Sequence, residues 1–97
     1  EGAHIPTVDL AARKHIEKYG YGKHFTSRLG HGIGYMGHEA PDIKYNHDRH
    51  LEKGMAFSIE PGIYLGGNFG VRIEDIVAIT ENGTEILNTS PKEIIII

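Results

Sequence analysis

Alternating glycines in the stretch LGHGIGYMGHEAP, residues 29–41, constrain the fold more than any other feature of the chain. Gly30, Gly32 and Gly34 would each cost a helix on the order of 1 kcal/mol relative to alanine, so the pattern favours extended or turning backbone. His31 lies between two of these glycines, which predicts freedom for its backbone and room for a ligand to approach. Taken alone, His31 is better explained as a histidine in a turn than as a functional residue.

A helix is predicted before the glycines. Thr7 is expected to cap its first turn, and good helix formers continue to Tyr19. Gly20 and Gly22 are expected to end it. The residues at helical spacing define one apolar face: Val8, Ala11, Ala12, His15, Ile16 and Tyr19.

Antiparallel strands are predicted for the rest of the chain. Residues 41–54 are polar without a clear period and predict a loop, and residues 55–64 predict a strand bent at Pro61-Gly62. Residues 71–80 predict the strongest strand, because they are rich in β-branched side chains. Asn82-Gly83 predicts a type I′ hairpin turn that leads into residues 84–87. One helix followed by antiparallel strands is an α+β pattern.

Composition excludes several classes of protein. The 97 residues suit one small domain or part of a larger one, and the net charge of −3 without a basic cluster argues against a nucleic-acid partner or an anionic membrane. No apolar run is long enough to span a bilayer. The chain has no cysteine, so a bound metal would need His, Asp or Glu ligands, which suit manganese, cobalt, iron or zinc. We expect a cytoplasmic protein.

The seven histidines are the first candidates for chemistry. Those in polar surroundings are expected to be solvated, namely His4, His47 and His50. His15 is expected to pack on the helix face. His38 is weak evidence in isolation, because the adjacent Glu39 could cap a turn or pair with Lys44.

Two glutamates strengthen the case for a site. Glu60 ends an apolar strand, and Glu74 lies within the β-branched stretch, where an unpartnered buried charge is costly. The alternatives that involve no functional site are an exposed strand end for Glu60 and an ion pair with Arg72 for Glu74. The functional interpretation is that His31, Glu60 and Glu74 converge on a divalent metal, because one imidazole and two carboxylates are ligands that Mn²⁺ or Co²⁺ accepts.

Three ordered segments carry a resemblance to a known family. The stretches AARKHIEKYGYGKHF, GHGIGYMGHEAP and MAFSIEPGIYLGGNFGVRIEDIV resemble the C-terminal part of the pita-bread metallopeptidases, over Leu10 to Leu87. They are most similar to Xaa-Pro dipeptidases (prolidases) and Xaa-Pro aminopeptidases. The form GVRIED resembles the proline-specific members and differs from methionine aminopeptidases.

The resemblance implies a fold and a set of roles. The fold would be the second half of a pita-bread fold, a helix plus a curved antiparallel sheet, with residues 1–97 as the C-terminal half of the catalytic domain. His31, Glu60 and Glu74 would be metal ligands, and Glu60 would also be the general base or proton shuttle. His38 would bind substrate and stabilise the oxyanion, and Arg72 would orient the carboxylates. Two divalent ions (Mn, Co, Fe or Zn) would serve as cofactors, and the substrate would be a peptide with proline at its second position.

Two departures from the family pattern qualify these roles. The two aspartate ligands that precede the glycine–histidine motif in the family have no counterpart before Thr7, and Ser27 stands where many relatives have histidine. We therefore expect an incomplete site, no useful activity of the chain alone, and association with a second copy or with the missing N-terminal half. A non-catalytic peptide- or protein-binding module and a creatinase-like C–N hydrolase remain the alternatives.

Overall fold

Helix α1 spans Ile5–Lys18 in the computed structural model, which describes residues 2–96. Its N-cap is His4, so the prediction that Thr7 caps the helix is wrong. The helix begins earlier because Pro6 lies in its first turn, where a fixed φ suits a helix and the missing N–H is no loss. Thr7 instead donates its hydroxyl to the carbonyl of His4 at 2.6 Å.

The buried face of α1 is rotated from the predicted one. Ile5 and Asp9 are its buried residues, with Val8, Ala12 and Ile16 packing partly against the core. Ala11, His15 and Tyr19 are exposed, so the expected packing of His15 is wrong. No helix within residues 2–96 combines the length and apolar character that a membrane span requires.

Seven antiparallel strands follow a short 3₁₀ turn (Gly22–His24) in the described residues. They are β1 (Gly30–Gly34), β2 (Gly37–Ile43), β3 (Ala56–Ile59), β4 (Gly62–Leu65), β5 (Phe69–Arg72), β6 (Asp75–Thr80) and β7 (Gly83–Ile86). A five-stranded sheet has the order β2-β1-β3-β6-β7, and β4 and β5 form a separate pair. One helix with antiparallel sheets confirms the α+β class.

Three local predictions differ from the structure. The loop expected from residue 41 starts later, because β2 continues to Ile43. The strand expected over residues 71–80 is two strands, interrupted at Ile73 and Glu74. The type I′ turn is wrong, because that turn needs positive φ at both central residues and only Gly83, at +117°, has it.

The core lies between α1 and the sheet. It combines Ile5 of the helix with residues from the strands and from the segments that connect them. Its other buried members are Phe25, Leu29, Ile43, Leu51, Phe57, Val77 and Ile79. Two of these, Leu29 and Phe57, lie on the backbone segments next to His31 and Glu60. The core therefore fixes the backbone that carries the candidate site.

Candidate metal and catalytic centre

His31 is held in β1 by strands on both sides. A side chain at Gly30 would collide with the carbonyl oxygen of Ser58, and one at Gly32 would collide with the carbonyl oxygens of Glu39 and Ala40. Neither glycine has a positive φ. The glycines are therefore needed because neighbouring backbone approaches closely, whereas the sequence had suggested unusual dihedrals and room for a ligand. The result is a buried imidazole, only 6% exposed.

The tautomer of His31 follows from its hydrogen bond. Nδ1 lies 2.9 Å from the carbonyl oxygen of Gly32. A carbonyl oxygen can only accept, so Nδ1 carries the hydrogen and donates it. In the neutral tautomer Nε2 would carry a lone pair directed outward, which is the arrangement typical of metal-ligating histidines.

Glu60 faces that lone pair. It follows β3, and its backbone N–H donates to the carbonyl of Leu29 at 2.7 Å, next to the strand that carries His31. Its side chain is 16% exposed, so the alternative of an exposed strand end is wrong. Oε2 is buried 3.3 Å from Nε2 of His31 and has no hydrogen-bond partner in the part of the chain that the structure describes.

Ser58 is a site residue that the sequence interpretation missed. It is fully buried, and its Oγ accepts a hydrogen bond from the backbone N–H of His31 at 3.1 Å. It also forms a hydrogen bond with the Glu60 carboxylate. A signal was available, because Ser58 and Glu60 are two residues apart at the end of an extended segment and share a face.

Glu74 contacts the carboxylate of Glu60 from the break between β5 and β6. The hydrogen bond with Glu60 is the main cause that raises the pKa of Glu74, with burial and the Glu60 charge adding to it. Burial also raises the pKa of Glu60, but hydrogen bonds with Glu74 and Ser58 and the charges of His31 and Arg72 together lower it. The pKa of Glu74 therefore lies above its ordinary value, and the pKa of Glu60 lies below its own.

His38 stacks on His31. The two ring centroids are 3.7 Å apart with planes tilted by 32°, because β1 and β2 pair Ile33 with His38 across the hairpin. His38, Glu60 and Arg72 line one open cleft of about 530 Å³. The cleft also has residues that were not predicted as site residues: Arg28, Asp42, Lys44 and Tyr64. Ser27, noted only as a departure from the family pattern, lines it as well.

The His31–Glu60 corner fits a divalent cation as two of its ligands. Two atoms that each lie about 2.1 Å from one cation are separated by roughly 3.0–3.4 Å, and the observed separation of Nε2 and Oε2 falls in that range. A cation would also supply the partner that Oε2 lacks. Within residues 2–96, however, no group of three or more His, Cys, Asp or Glu side chains is arranged to hold a metal ion. His31 and Glu60 therefore fit as two ligands on one side of a larger metal site.

Comparison with known proteins agrees with this geometry. The chain is 48% identical over 96 residues to a putative dipeptidase of Bacillus subtilis, covering 99% of the chain and 26% of that protein. It is 50% identical over 90 residues to an Xaa-Pro dipeptidase of Lactobacillus helveticus, covering 93% of the chain and 24% of that protein. The crystal structure of a dipeptidase from Pyrococcus horikoshii superposes with a TM-score of 0.95 at 44% identity, covering 100% of the chain and 27% of that structure.

The matches show which proteins the chain is similar to and how much of their length it spans. The chain spans about a quarter of the length of these relatives. The sequence profile of metallopeptidase family M24 matches residues 1–81. Fold and sequence thus confirm the resemblance to the C-terminal, pita-bread part of the prolidases, and the chain belongs to metallopeptidase family M24.

Proposed function

We propose that this chain supplies one side of a dinuclear metal centre that hydrolyses Xaa-Pro peptide bonds. The observation that carries the proposal is the corner where Nε2 of His31 faces Oε2 of Glu60 at 3.3 Å, an oxygen that has no hydrogen-bond partner among residues 2–96. An imidazole nitrogen and a carboxylate oxygen this close in a buried corner need a cation or a proton between them. The family match and relatives named as Xaa-Pro dipeptidases make a metal cation the better choice.

His31, Glu60 and Glu74 are the residues that would hold the metal. Manganese, cobalt, iron and zinc all accept imidazole and carboxylate ligands. When bound, a pair of such ions polarises the scissile carbonyl and lowers the pKa of water. Glu74, whose pKa is raised by its contact with Glu60, must be deprotonated to act as a ligand.

The remaining roles belong to the chain's own side chains. Glu60, held as a carboxylate in the cleft, accepts a proton from the attacking water and passes it toward the leaving amine. His38 lies at the cleft edge and donates a hydrogen bond to the developing oxyanion. Arg72 lowers the pKa of both carboxyl groups and keeps them oriented. A peptide with proline at its second position would lie along the cleft.

The site of this chain is incomplete in the proposal. Residues 1–97 form the C-terminal half of a pita-bread catalytic domain, and the two aspartate ligands belong to the other half. Within residues 2–96 no three His, Cys, Asp or Glu side chains are arranged to hold a metal ion, so His31, Glu60 and Glu74 would form a site only together with ligands from the other half. We therefore expect weak metal binding and no useful peptidase activity from the chain alone.

Association is a further part of the proposal. Strands β2 and β7 are the edges of the five-stranded sheet, and unpaired edges favour pairing with another chain. Large apolar side chains are exposed at the hairpin tip and on β5: Tyr35, Met36, Phe69 and Val71. We expect a homo-oligomer or a complex with the missing half in the cytoplasm, and a strict monomer in concentrated solution by light scattering would contradict this.

A hybrid protein tests the proposed activity. The 96-residue segment of the Bacillus subtilis relative that matches this chain is replaced by this chain, which restores the absent part of the domain. With Mn²⁺ or Co²⁺ the hybrid should hydrolyse an Xaa-Pro dipeptide. Glu60→Gln in the hybrid should lower kcat by at least about 100-fold, because the residue would act both as ligand and as proton carrier.

The control is Glu52→Gln, which makes the same change at an exposed glutamate that lies 4.0 Å from Arg49. It should leave kcat unchanged. A folded hybrid that binds the dipeptide but does not cleave it would favour the binding-module alternative. Cleavage of creatine in place of the dipeptide would favour the C–N hydrolase.

A further inference from the structure

A second cavity adjoins the candidate catalytic cleft and has a different character. It measures about 470 Å³ and shares Ser27, Arg28 and Lys44 with the cleft. Its other lining residues are Arg13, Phe25, Thr26, Tyr45 and Asn46. Three of the eight lining residues are cationic and none is acidic, whereas the catalytic cleft contains Asp42 and Glu60.

One wall of this cavity is rigid. Arg13 forms a two-point ion pair with the fully buried Asp9, at 2.9 and 3.3 Å, and donates to the carbonyl of Phe25 at 3.1 Å. Its guanidinium lies 4.3 Å from the ring centroid of Phe25 and 5.4 Å from that of Tyr45. Asp9 neutralises Arg13, so this side of the cavity contributes shape and aromatic surface more than net charge.

The other wall is formed by Arg28 and Lys44. It carries more positive charge than the one carboxylate beside it, Asp42, can neutralise. Arg28 makes one hydrogen bond to Asp42 at 3.2 Å, and Lys44 lies 3.9 Å from the same carboxylate. One carboxylate thus serves two cations. A guanidinium has five N–H donors and an ammonium has three, so most donors of this wall remain available. The hydroxyls of Thr26 and Ser27 add further neutral donors.

We infer that this cavity binds a small oxyanion, a carboxylate or a phosphate, beside the catalytic cleft. Arginine and lysine with spare donors are the groups that recognise such anions, and the exposed aromatic ring of Tyr45 gives the cavity a surface that an apolar body attached to the anion could contact. The inference does not depend on the proposed peptidase activity, because it rests on the lining of a different cavity.

The test is a titration of the ¹⁵N-labelled protein with inorganic phosphate and, separately, with acetate, at constant ionic strength set by sodium chloride. Either anion should produce saturable shifts of the amides of Thr26, Ser27 and Asn46, and the anion that saturates at the lower concentration identifies the preferred source. Arg28→Gln should weaken the apparent affinity at least about tenfold, as the loss of a charge-assisted hydrogen bond implies.

The matched control is Arg49→Gln. Arg49 has a similar side-chain exposure (44%, against 41% for Arg28) and also contacts a carboxylate, Glu52. Saturation by neither anion would overturn the inference, and so would an equal loss of affinity in the Arg28 and Arg49 variants. If Arg28→Gln disturbs the fold, as judged from its amide spectrum, Lys44→Gln carries the same expectation and the same contradiction.

Discussion

Two regions of the molecule pair a histidine with a carboxylate, and they are built in opposite ways. In the buried corner, His31 and Glu60 face each other at 3.3 Å and Oε2 has no hydrogen-bond donor. At the start of α1, His4 Nε2 lies 2.7 Å from Oδ1 of Asp48, whose side chain is 92% exposed. Within residues 2–96 Oε2 of Glu60 has no hydrogen-bond partner, whereas the second pair is joined by an ordinary hydrogen bond.

The backbone explains the difference. His31 donates its Nδ1 hydrogen to the adjacent carbonyl of Gly32, so its other nitrogen, Nε2, faces Glu60. At the His4 cluster, the ring of His50 lies 4.8 Å from that of His4, and the side chains have water on one side. A histidine beside a carboxylate is therefore a poor indicator of a metal site. Burial and a fixed tautomer distinguish the corner at His31.

The largest expected effect is on metal binding. His31→Ala should weaken binding of Mn²⁺ by roughly 100-fold or more, because it removes a ligand, whereas His4→Ala should change it less than about twofold. Isothermal titration calorimetry on the hybrid protein measures both. Equal losses in the two variants would mean that the exposed histidines bind the metal, and the comparison would fail.

A smaller effect, on stability, is expected from a side chain at Gly30, where β1 approaches the backbone of Ser58 closely. Gly30→Ala should lower the free energy of unfolding by about 3 kcal/mol or more, because the new methyl group meets the backbone carbonyl of Ser58. Gly66→Ala is the control, since nothing lies within 4 Å of its added methyl group and its φ is not positive. Urea denaturation measures both, and similar losses would show that crowding at Gly30 is unimportant.

A substitution at Ser58 tests what holds His31 in the corner. It should cost less stability than the substitution at Gly30. Ser58→Ala leaves the buried N–H of His31 without its acceptor, so the free energy of unfolding should fall by about 1–3 kcal/mol. Ser27→Ala removes a hydroxyl from an exposed residue and should cost less than about 0.5 kcal/mol. A Ser58 variant as stable as the parent protein would indicate that His31 is held by its flanking strands alone.

The smallest effect belongs to the exposed cluster. The hydrogen bond from His4, followed by its charge, lowers the pKa of Asp48. A lowered pKa in the folded state stabilises the fold above the ordinary aspartate pKa, and this contribution disappears as pH falls through the folded value. Asp48→Asn should therefore shift the urea midpoint slightly at pH 6 and not at all in strong acid. A large shift would show that this pair is structurally important.

The sequence indicated the class of fold because glycine and β-branched patterns act locally. Alternation at Gly30, Gly32 and Gly34 does mark a strand, and the bend at Pro61-Gly62 does separate two strands. The break at Ile73 and Glu74 was not visible, because β-branched residues continue across it and only the pairing of β5 with β4 and β6 with β3 creates it.

The candidate site was less accessible to sequence reasoning than the fold. The proximity of His31 and Glu60 depends on the pairing of β1 with β3, and the burial of Ser58 depends on the same contact. The clustering of Arg28, Lys44 and Asp42 could not be read from spacing, since it depends on the chain leaving β2 beside the segment that leads into β1. Assignment of ligand and catalytic roles to the five candidate residues stays a prediction.

The most direct test of the central claim is the ¹⁵N spectrum of the histidine rings before and after addition of Zn²⁺. We expect His31 to carry its hydrogen on Nδ1, and its Nε2 resonance to move with zinc while those of His4 and His50 stay in place. A hydrogen on Nε2, or a zinc response confined to His4 and His50, would contradict the claim that the buried corner is one side of a metal centre.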